Sequence, residues 1–366
     1  MIKGKMMVLL SVFCLLYSVA FAAPAQDSYS FWTGVSRSAA VEAWRLIGEK
    51  PAELIVLTNA GYAVCNGQST APCLDGLTEA TGCTEGRNNL LEVHSSRENA
   101  LWFAFFDKKS GKCAYIEVNR AATWQKSDEN ARQKNLFSKM TSANIGMEEL
   151  LAYPSVWNEK VKEKIFNGKE FAIAGFCNAA VQGAPQDFLK AALYHDHLCP
   201  GVNSGYFIVN YLVKEMPLAS VDERYYIIAS PHWCKDDALQ TLLNTTPGKS
   251  GMAVIPVSGE MKAKLIPEAK NMAGIFIRWN EKEKRGEGRV LAFDFNAGTK
   301  LAGFEGKEGF PWERRLKMNS VYQYYYDQPE IFVSTIKTFE LANGERPEDY
   351  AKAGVNPLEK LKLLQP

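Results

Sequence analysis

Two stretches of this chain repeat one pattern 162 residues apart, and that repetition limits the possible folds more than any other feature. Asp75-Gly-Leu-Thr-Glu-Ala-Thr-Gly-Cys-Thr-Glu-Gly-Arg87 aligns without a gap with Asp237-Ala-Leu-Gln-Thr-Leu-Leu-Asn-Thr-Thr-Pro-Gly-Lys249. The alignment matches Leu77 with Leu239, Thr84 with Thr246, Gly86 with Gly248 and Arg87 with Lys249. The flanks follow the same order. Gly34-Val35-Ser36 and Gly201-Val202-Asn203 each open a helical pattern, and strands at 53–58 and 225–229 follow. Hairpins then form from 101–107 with 112–118 and from 275–279 with 290–295. A shared order of elements at a long period marks two units of one architecture.

Each unit reads helix, strand, helix, then three strands, with strands rich in Val, Ile, Phe and Tyr. The helix from Pro200 carries Val202, Tyr206, Val209 and Val213 on one stripe. A parallel strand pair needs the helical crossover, whereas the later strands pair as antiparallel hairpins. The expected fold class is therefore α+β: two tandem α-β-α-β-β-β mixed-sheet repeats, helices covering one face of each, packed as a pseudo-dimer. The expected layout is 1–22 signal peptide, 31–120 first repeat, 121–189 helical linker, 190–300 second repeat and 301–366 C-terminal helical extension. Within the linker, Ser127 to Lys139 and Glu159 to Lys164 read as charged helices. In the extension, Trp312 to Glu340 reads as two helices separated by Asp327-Gln328-Pro329.

The signal peptide rests on Lys3 and Lys5, an apolar run from Met6 to Phe21, and the small-x-small site Ala20-Phe21-Ala22. Cleavage there moves the net charge from +1 to about −1 and predicts a periplasmic or secreted protein with no membrane segment left. With 42 Lys+Arg against 41 Asp+Glu, the chain lacks the basic excess of a nucleic-acid partner. A 46% hydrophobic and 23% charged composition excludes a disordered chain. Seven cysteines remain after cleavage, and an oxidising compartment permits pairing among Cys65, Cys73, Cys83 and Cys113. No C-x-x-C-H haem motif and no C-x-x-C pair occurs.

The chemistry converges on two segments. Tyr194-His195-Asp196-His197-Leu198-Cys199-Pro200-Gly201 holds two of the four histidines, with His195, His197 and Cys199 at i, i+2 and i+4. On an extended backbone these side chains share a face. Pro200 suits the first turn of a helix, which places Cys199 at a helix N-terminus where a thiolate is favoured. Ser230-Pro231-His232-Trp233-Cys234-Lys235-Asp236-Asp237 lies at a strand–helix junction. Cys234 is the expected closing ligand, with His232 and Asp236 in reserve. A thiolate beside imidazoles suits zinc or a similar transition metal. Asp237 and Asp75 read as first-turn residues that complement the helix dipole. Gly86 and Gly248 read as turn glycines.

These two segments resemble the FmdE-like family, which takes its name from a component of formylmethanofuran dehydrogenase. Its signature runs His-x-His-x-Cys-Pro-Gly, then Cys-x-x-Asp-Ala-x-Gln, then Gly-Cys-Thr-x-Gly. His195 to Gly201 and Cys234-Lys-Asp-Asp-Ala-Leu-Gln240 carry the first two parts, and Thr81-Gly-Cys-Thr-Glu-Gly-Arg87 resembles the third. The resemblance implies an α-β-α-β-β-β domain in each half and a zinc-type site at His195, His197, Cys199 and Cys234. The halves depart differently from the signature. Asn244-Thr245-Thr246 stands where the second half should carry Gly-Cys-Thr. Aligning Gly34 with Gly201 sets Trp32 at the Cys199 position and Ser30 and Ser28 at the histidine positions. One metal ion per chain follows, with the first half a structural partner.

Three functions fit. The chain is an exported metal-binding protein, with room for an unknown small ligand anchored on the metal. Alternatively it is a metal-dependent enzyme with an open coordination position and Asp196, Asp236 or His232 as general base. The third reading is a metal-free protein that cycles Cys199 and Cys234 between thiol and disulfide. Catalytic residues stay unassigned, and the sequence accommodates a monomer or a homo-oligomer equally.

Overall fold

A computed structural model describes residues 26–121, 136–306 and 308–365. The expected signal peptide, 1–22, lies outside the described residues. The chain opens with helix α1 (Gln26–Ile47), strand β1 (Leu54–Thr58) and the small hairpin β2 (Val64–Cys65) and β3 (Gln68–Ser69). Helix α2 (Pro72–Thr81) leads into β4 (Leu90–Glu92), β5 (Trp102–Asp107), β6 (Lys112–Val118) and β7 (Phe137–Asn144). Four helices follow: α3 (Met147–Ala152), α4 (Pro154–Lys162), α5 (Glu170–Val181) and α6 (Gln186–Tyr194). The second unit runs α7 (Pro200–Glu215), β8 (Glu223–Ala229), α8 (Lys235–Leu243), β9 (Met252–Val254), α9 (Gly259–Ala263), β10 (Met272–Asn280) and β11 (Arg285–Phe293). It ends with α10 (Phe295–Leu301), α11 (Pro311–Tyr322), β12 (Val333–Glu340) and α12 (Pro357–Lys360).

The fold is mixed α+β, with two five-stranded mixed sheets. The first has the order β4-β1-β5-β6-β7 and the second β9-β8-β10-β11-β12. In each, the first long strand pairs in parallel with the short strand that follows the crossover helix. All other neighbours are antiparallel. The 162-residue spacing is visible in the backbone. Helices α2 and α8 end on left-handed Gly82 and Asn244, and 3-10 turns sit at Glu85–Arg87 and Pro247–Lys249. Gly86 and Gly248 lie within those turns with open space around them.

The structure departs from three expectations. Phe137–Asn144 is a strand, so the helix expected over 127–139 does not extend across its last residues; 122–135 lie outside the described residues. Val333–Glu340 is likewise a strand where a helix was expected. Both are half-exposed edge strands that mix polar and apolar residues on their outward side, which dilutes the alternation that identifies a strand. Helices also cover both faces of the first sheet, not one. The β1 run Leu54-Ile-Val-Leu-Thr58 is buried throughout, as a strand enclosed on two sides must be. Val56, Phe103 and Phe105 pack against Trp32, Val35 and Ala39 of α1. Ile55, Leu57 and Phe106 face the opposite way, into the largest core. That core also takes in Phe176 of α5, Leu189 of α6, Phe207 of α7 and Ile227 and Phe276 of the second sheet. A helical layer thus sits between the two sheets. The outer face of the second sheet, including Ile228, Ile275 and Val290, is covered by Leu265, Tyr350, Leu358 and Leu361.

The contact that positions the site is the close approach of α7 to α8. A Cβ at Gly205 would lie 2.6 Å from the Lys235 carbonyl oxygen and 2.7 Å from the Ala238 Cβ. Only a hydrogen at that position lets the helices touch. Gly205→Val should therefore lower the unfolding free energy by about 1–3 kcal/mol through overpacking against backbone. Gly248→Ala, placed in open space, should change it by less than about 0.5 kcal/mol. Urea denaturation of both variants checks this; equal effects would mean the crossing does not depend on Gly205.

Candidate metal centre

Helix α6 stops at Tyr194, and His195 is its C-terminal flanking residue in a helical conformation. Asp196 then adopts a left-handed backbone with φ 65°, which Asp tolerates better than most residues. The chain reverses there, and Cys199 follows in an extended conformation as the N-cap of α7, with Pro200 in the first turn. The segment is thus a helix end, a left-handed turn and a cap rather than the expected extended run. The three side chains converge nonetheless. His195 and His197 lie with ring centroids 4.4 Å apart. The ligand atoms of His195, His197 and Cys199 all fall within 4.8 Å of one another. The Cys199 sulfur also accepts the Val202 N–H at 3.4 Å, as a cap should.

Cys234 enters from the junction between β8 and α8, where it precedes the first turn of that helix. Gly201 holds the two sulfurs close together. A Cβ on it would lie 3.0 Å from the Cys234 sulfur and 3.5 Å from the Cys199 sulfur. The seven described cysteines are all free thiols, these two included. Their protonation is asymmetric. The Cys199 S–H and then His195 hold the Cys234 thiol well below its ordinary range. The Cys234 sulfur and then burial push Cys199 far up. One thiolate therefore shares a proton-rich pocket with one thiol.

Each histidine is oriented by a carboxylate. His195 Nδ1 lies 2.6 Å from Asp237 Oδ2, and His197 Nδ1 lies 2.7 Å from Asp196 Oδ1. A carboxylate can only accept, so Nδ1 carries a proton in both rings, and Nε2 is the atom that offers a lone pair once it is deprotonated. His195 Nε2 is buried without a hydrogen bond of good geometry, although the Cys234 sulfur is near enough to interact with the ring. Burial lowers the His195 pKa, but Asp237 and the Cys234 sulfur outweigh it and raise the group to about 9.

Asp237 has a role that its sequence position does not reveal. It does occupy the first turn of α8, but its side chain also clamps His195. The repeat conceals this second role, because the matching Asp75 accepts a Tyr29 hydroxyl instead. Asp236, expected as a reserve ligand or base, points elsewhere. It is buried, accepts the Trp233 N–H at 2.9 Å and pairs with Lys235 Nζ at 2.6 Å. Lys235 is itself fully buried, donates to the Pro231 carbonyl and lies 3.9 Å over the Trp233 ring. This pair braces the 231–236 turn and thereby holds Cys234. His232 is exposed and lines the cleft beside the cluster.

In the first unit, the position aligned with Cys199 is filled. Trp32 is fully buried, and its indole N–H donates to Gln68 Oε1 at 3.0 Å. Ser28 donates to the same oxygen at 3.4 Å. Among the described residues, the cluster in the second unit is the only His/Cys/carboxylate group of this kind. A cleft of about 840 Å³ opens over it, with His197, Cys199 and Cys234 in its wall and His195 behind. No helix among the described residues is long and apolar enough to cross a membrane.

Residues 194–307 match the family model of FmdE, described as molybdenum formylmethanofuran dehydrogenase operon. The match begins one residue before His195 and lies wholly within the second half of the chain. No curated protein matches the chain. A carboxylate that fixes a histidine ligand typically contributes about 10–100-fold to metal affinity. If the cluster holds zinc, Asp237→Ala should weaken its binding by about that factor in a chelator competition, with Asp75→Ala as the unaffected control. Equal affinity in both variants would show that Asp237 does not orient a ligand.

Proposed function

We propose, taking the FmdE domain at 194–307 as premise, that this protein binds one transition-metal ion through His195, His197, Cys199 and Cys234. The observation that carries this reading is His195 Nε2. It is buried without a hydrogen bond of good geometry while Nδ1 is clamped, and it belongs to the His195–His197–Cys199 cluster, whose donor atoms lie within 4.8 Å; Cys234 stands beside that cluster across Gly201. A buried polar nitrogen left without a good partner costs about 1–3 kcal/mol. An ion on that edge would remove the cost. Two imidazoles and two sulfurs form the N₂S₂ set that suits zinc in tetrahedral geometry.

Zinc bound there would act as a Lewis acid toward a group in the cleft, or would simply stabilise the fold. The chain's own residues divide the remaining work. Asp237 and Asp196 fix the imidazole tautomers, Cys234 supplies a ready thiolate, and the Lys235–Asp236 pair holds its turn. The protein is read as exported, on the N-terminal signal pattern, and the two like-connected units as copies of which only the second kept its ligands. The cleft at the cluster favours a second reading, a metal-dependent enzyme. In it, Asp196, bonded to His197, or His232 in the cleft wall would handle a proton.

Metal analysis of the purified protein tests the site. The wild type should hold about one zinc per chain, as a four-ligand site requires. Cys199→Ser and His197→Ala should each lose most of it. Full stoichiometry in both variants would remove the proposed site. A metal-free wild type with a Cys199–Cys234 disulfide would instead establish the thiol/disulfide reading.

A further inference from the structure

We infer that the cleft beside the metal centre is built for a small organic anion, an apolar or aromatic body bearing a carboxylate or phosphate. The inference rests on the metal-site reading above, because the cluster forms part of the cleft wall. Three observations carry it. First, outside the cysteine–histidine cluster the charge is of one sign. Lys262, Lys270 and Arg315 line the cleft, and no Asp or Glu does. Second, among the described residues no ion pair neutralises any of the three, whereas some other surface cations, such as Arg37 and Lys264, are neutralised in this way. They also come from separate elements: Lys262 from α9, Lys270 from the turn before β10 and Arg315 from α11. Arg315 stands on the histidine side, 5.9 Å from the Phe171 ring, which in turn lies 6.1 Å from His197. Cations that converge from several elements on a low-dielectric cleft concentrate a positive field there.

Third, the wall between the cations is apolar. Trp233, Phe293 and Phe295 form an aromatic patch, with Trp233 and Phe295 6.0 Å apart and Phe293 and Phe295 4.7 Å apart. Phe295 keeps 37% of its surface exposed. Bare inorganic ions have no use for such a wall, and a cationic or zwitterionic ligand would meet repulsion. The volume of about 840 Å³ lies within the usual range of small-molecule sites, which combine an apolar lining with a few placed charges. The near-zero net charge of the whole chain argues against a polyanion as the occupant, so the positive field is local to this cleft.

The test uses 2-naphthoate as probe, with 2-naphthalenemethanol as its neutral counterpart and inorganic phosphate as an anion without an apolar body. Binding is followed by calorimetry on zinc-loaded full-length protein, and zinc content is measured on the same samples. Naphthoate should bind at least about tenfold more tightly than either comparator. The triple variant Lys262→Gln, Lys270→Gln, Arg315→Gln should retain its zinc and lose that advantage. In the wild type, added salt should weaken naphthoate and leave naphthalenemethanol unchanged, a readout that does not depend on the variant folding. No saturable naphthoate binding at millimolar probe, equal affinity for the neutral compound, or equal affinity for phosphate would each overturn the inference. If zinc is absent from the wild type, the metal-site reading fails instead, and the two failures are read from different measurements.

Discussion

The site depends on how closely two helices approach. Cys199 caps α7 and Cys234 precedes α8, so their sulfurs meet only where the N-terminal ends of those helices meet. Gly201 and Gly205 allow this, one against the Cys234 side chain and the other against the Lys235 backbone. Both helices direct N-terminal backbone N–H groups toward this region, and a helix N-terminus favours negative charge. Two sulfurs in such a place need not both stay protonated. The low position of the Cys234 thiol and the high position of Cys199 describe one proton shared unequally.

The histidines add direction to that charge. Asp237 reaches His195 from the first turn of α8, so the same helix supplies a sulfur and the carboxylate that sets a ring nitrogen. Asp196, whose left-handed backbone turns the chain, also holds His197. The donor edges are thereby fixed before any ion arrives, and preorganised ligands lose little freedom on binding. The buried Lys235–Asp236 pair extends this support outward, since removing either charge would leave the other stranded in the core.

Much of the architecture was legible in strand composition and helix starts. Strong apolar strands such as β1, β5, β8 and β10, and the helices at Pro72 and Pro200, announce themselves through composition and caps. The edge strands β7 and β12 did not, because an exposed edge carries polar residues in a pattern that also fits a helix. At the site, the convergence of His195, His197 and Cys199 was legible from spacing, whereas their supports were not. Nothing in the spacing distinguishes Asp236, turned toward Lys235, from Asp237, turned toward His195. They are neighbours on one helical turn, and only the direction of each side chain separates a brace from an orienting group. The backbone at 195–199 was equally hidden, since a left-handed Asp196 can bring i, i+2 and i+4 together as well as an extended chain can.

The two units show why one connectivity need not carry one chemistry. Both sheets place a crossover helix after their first long strand and pack the preceding helix against it. In the second unit that helix begins with a cysteine cap, and the space beside it opens to a cleft. In the first, the corresponding position falls within the longer helix α1 and carries Trp32, fully buried with its N–H satisfied by Gln68. A large indole fills volume and consumes its own donor, leaving neither a lone pair nor a vacancy for an ion. Burial of that ring stabilises the packing of α1 on the first sheet. Conversely, the second unit keeps a buried imidazole edge without a good protein partner, a local instability that a plain core would not retain. The asymmetry between a satisfied tryptophan and a histidine without a good partner is the packing argument behind the proposal that an ion sits in the second unit.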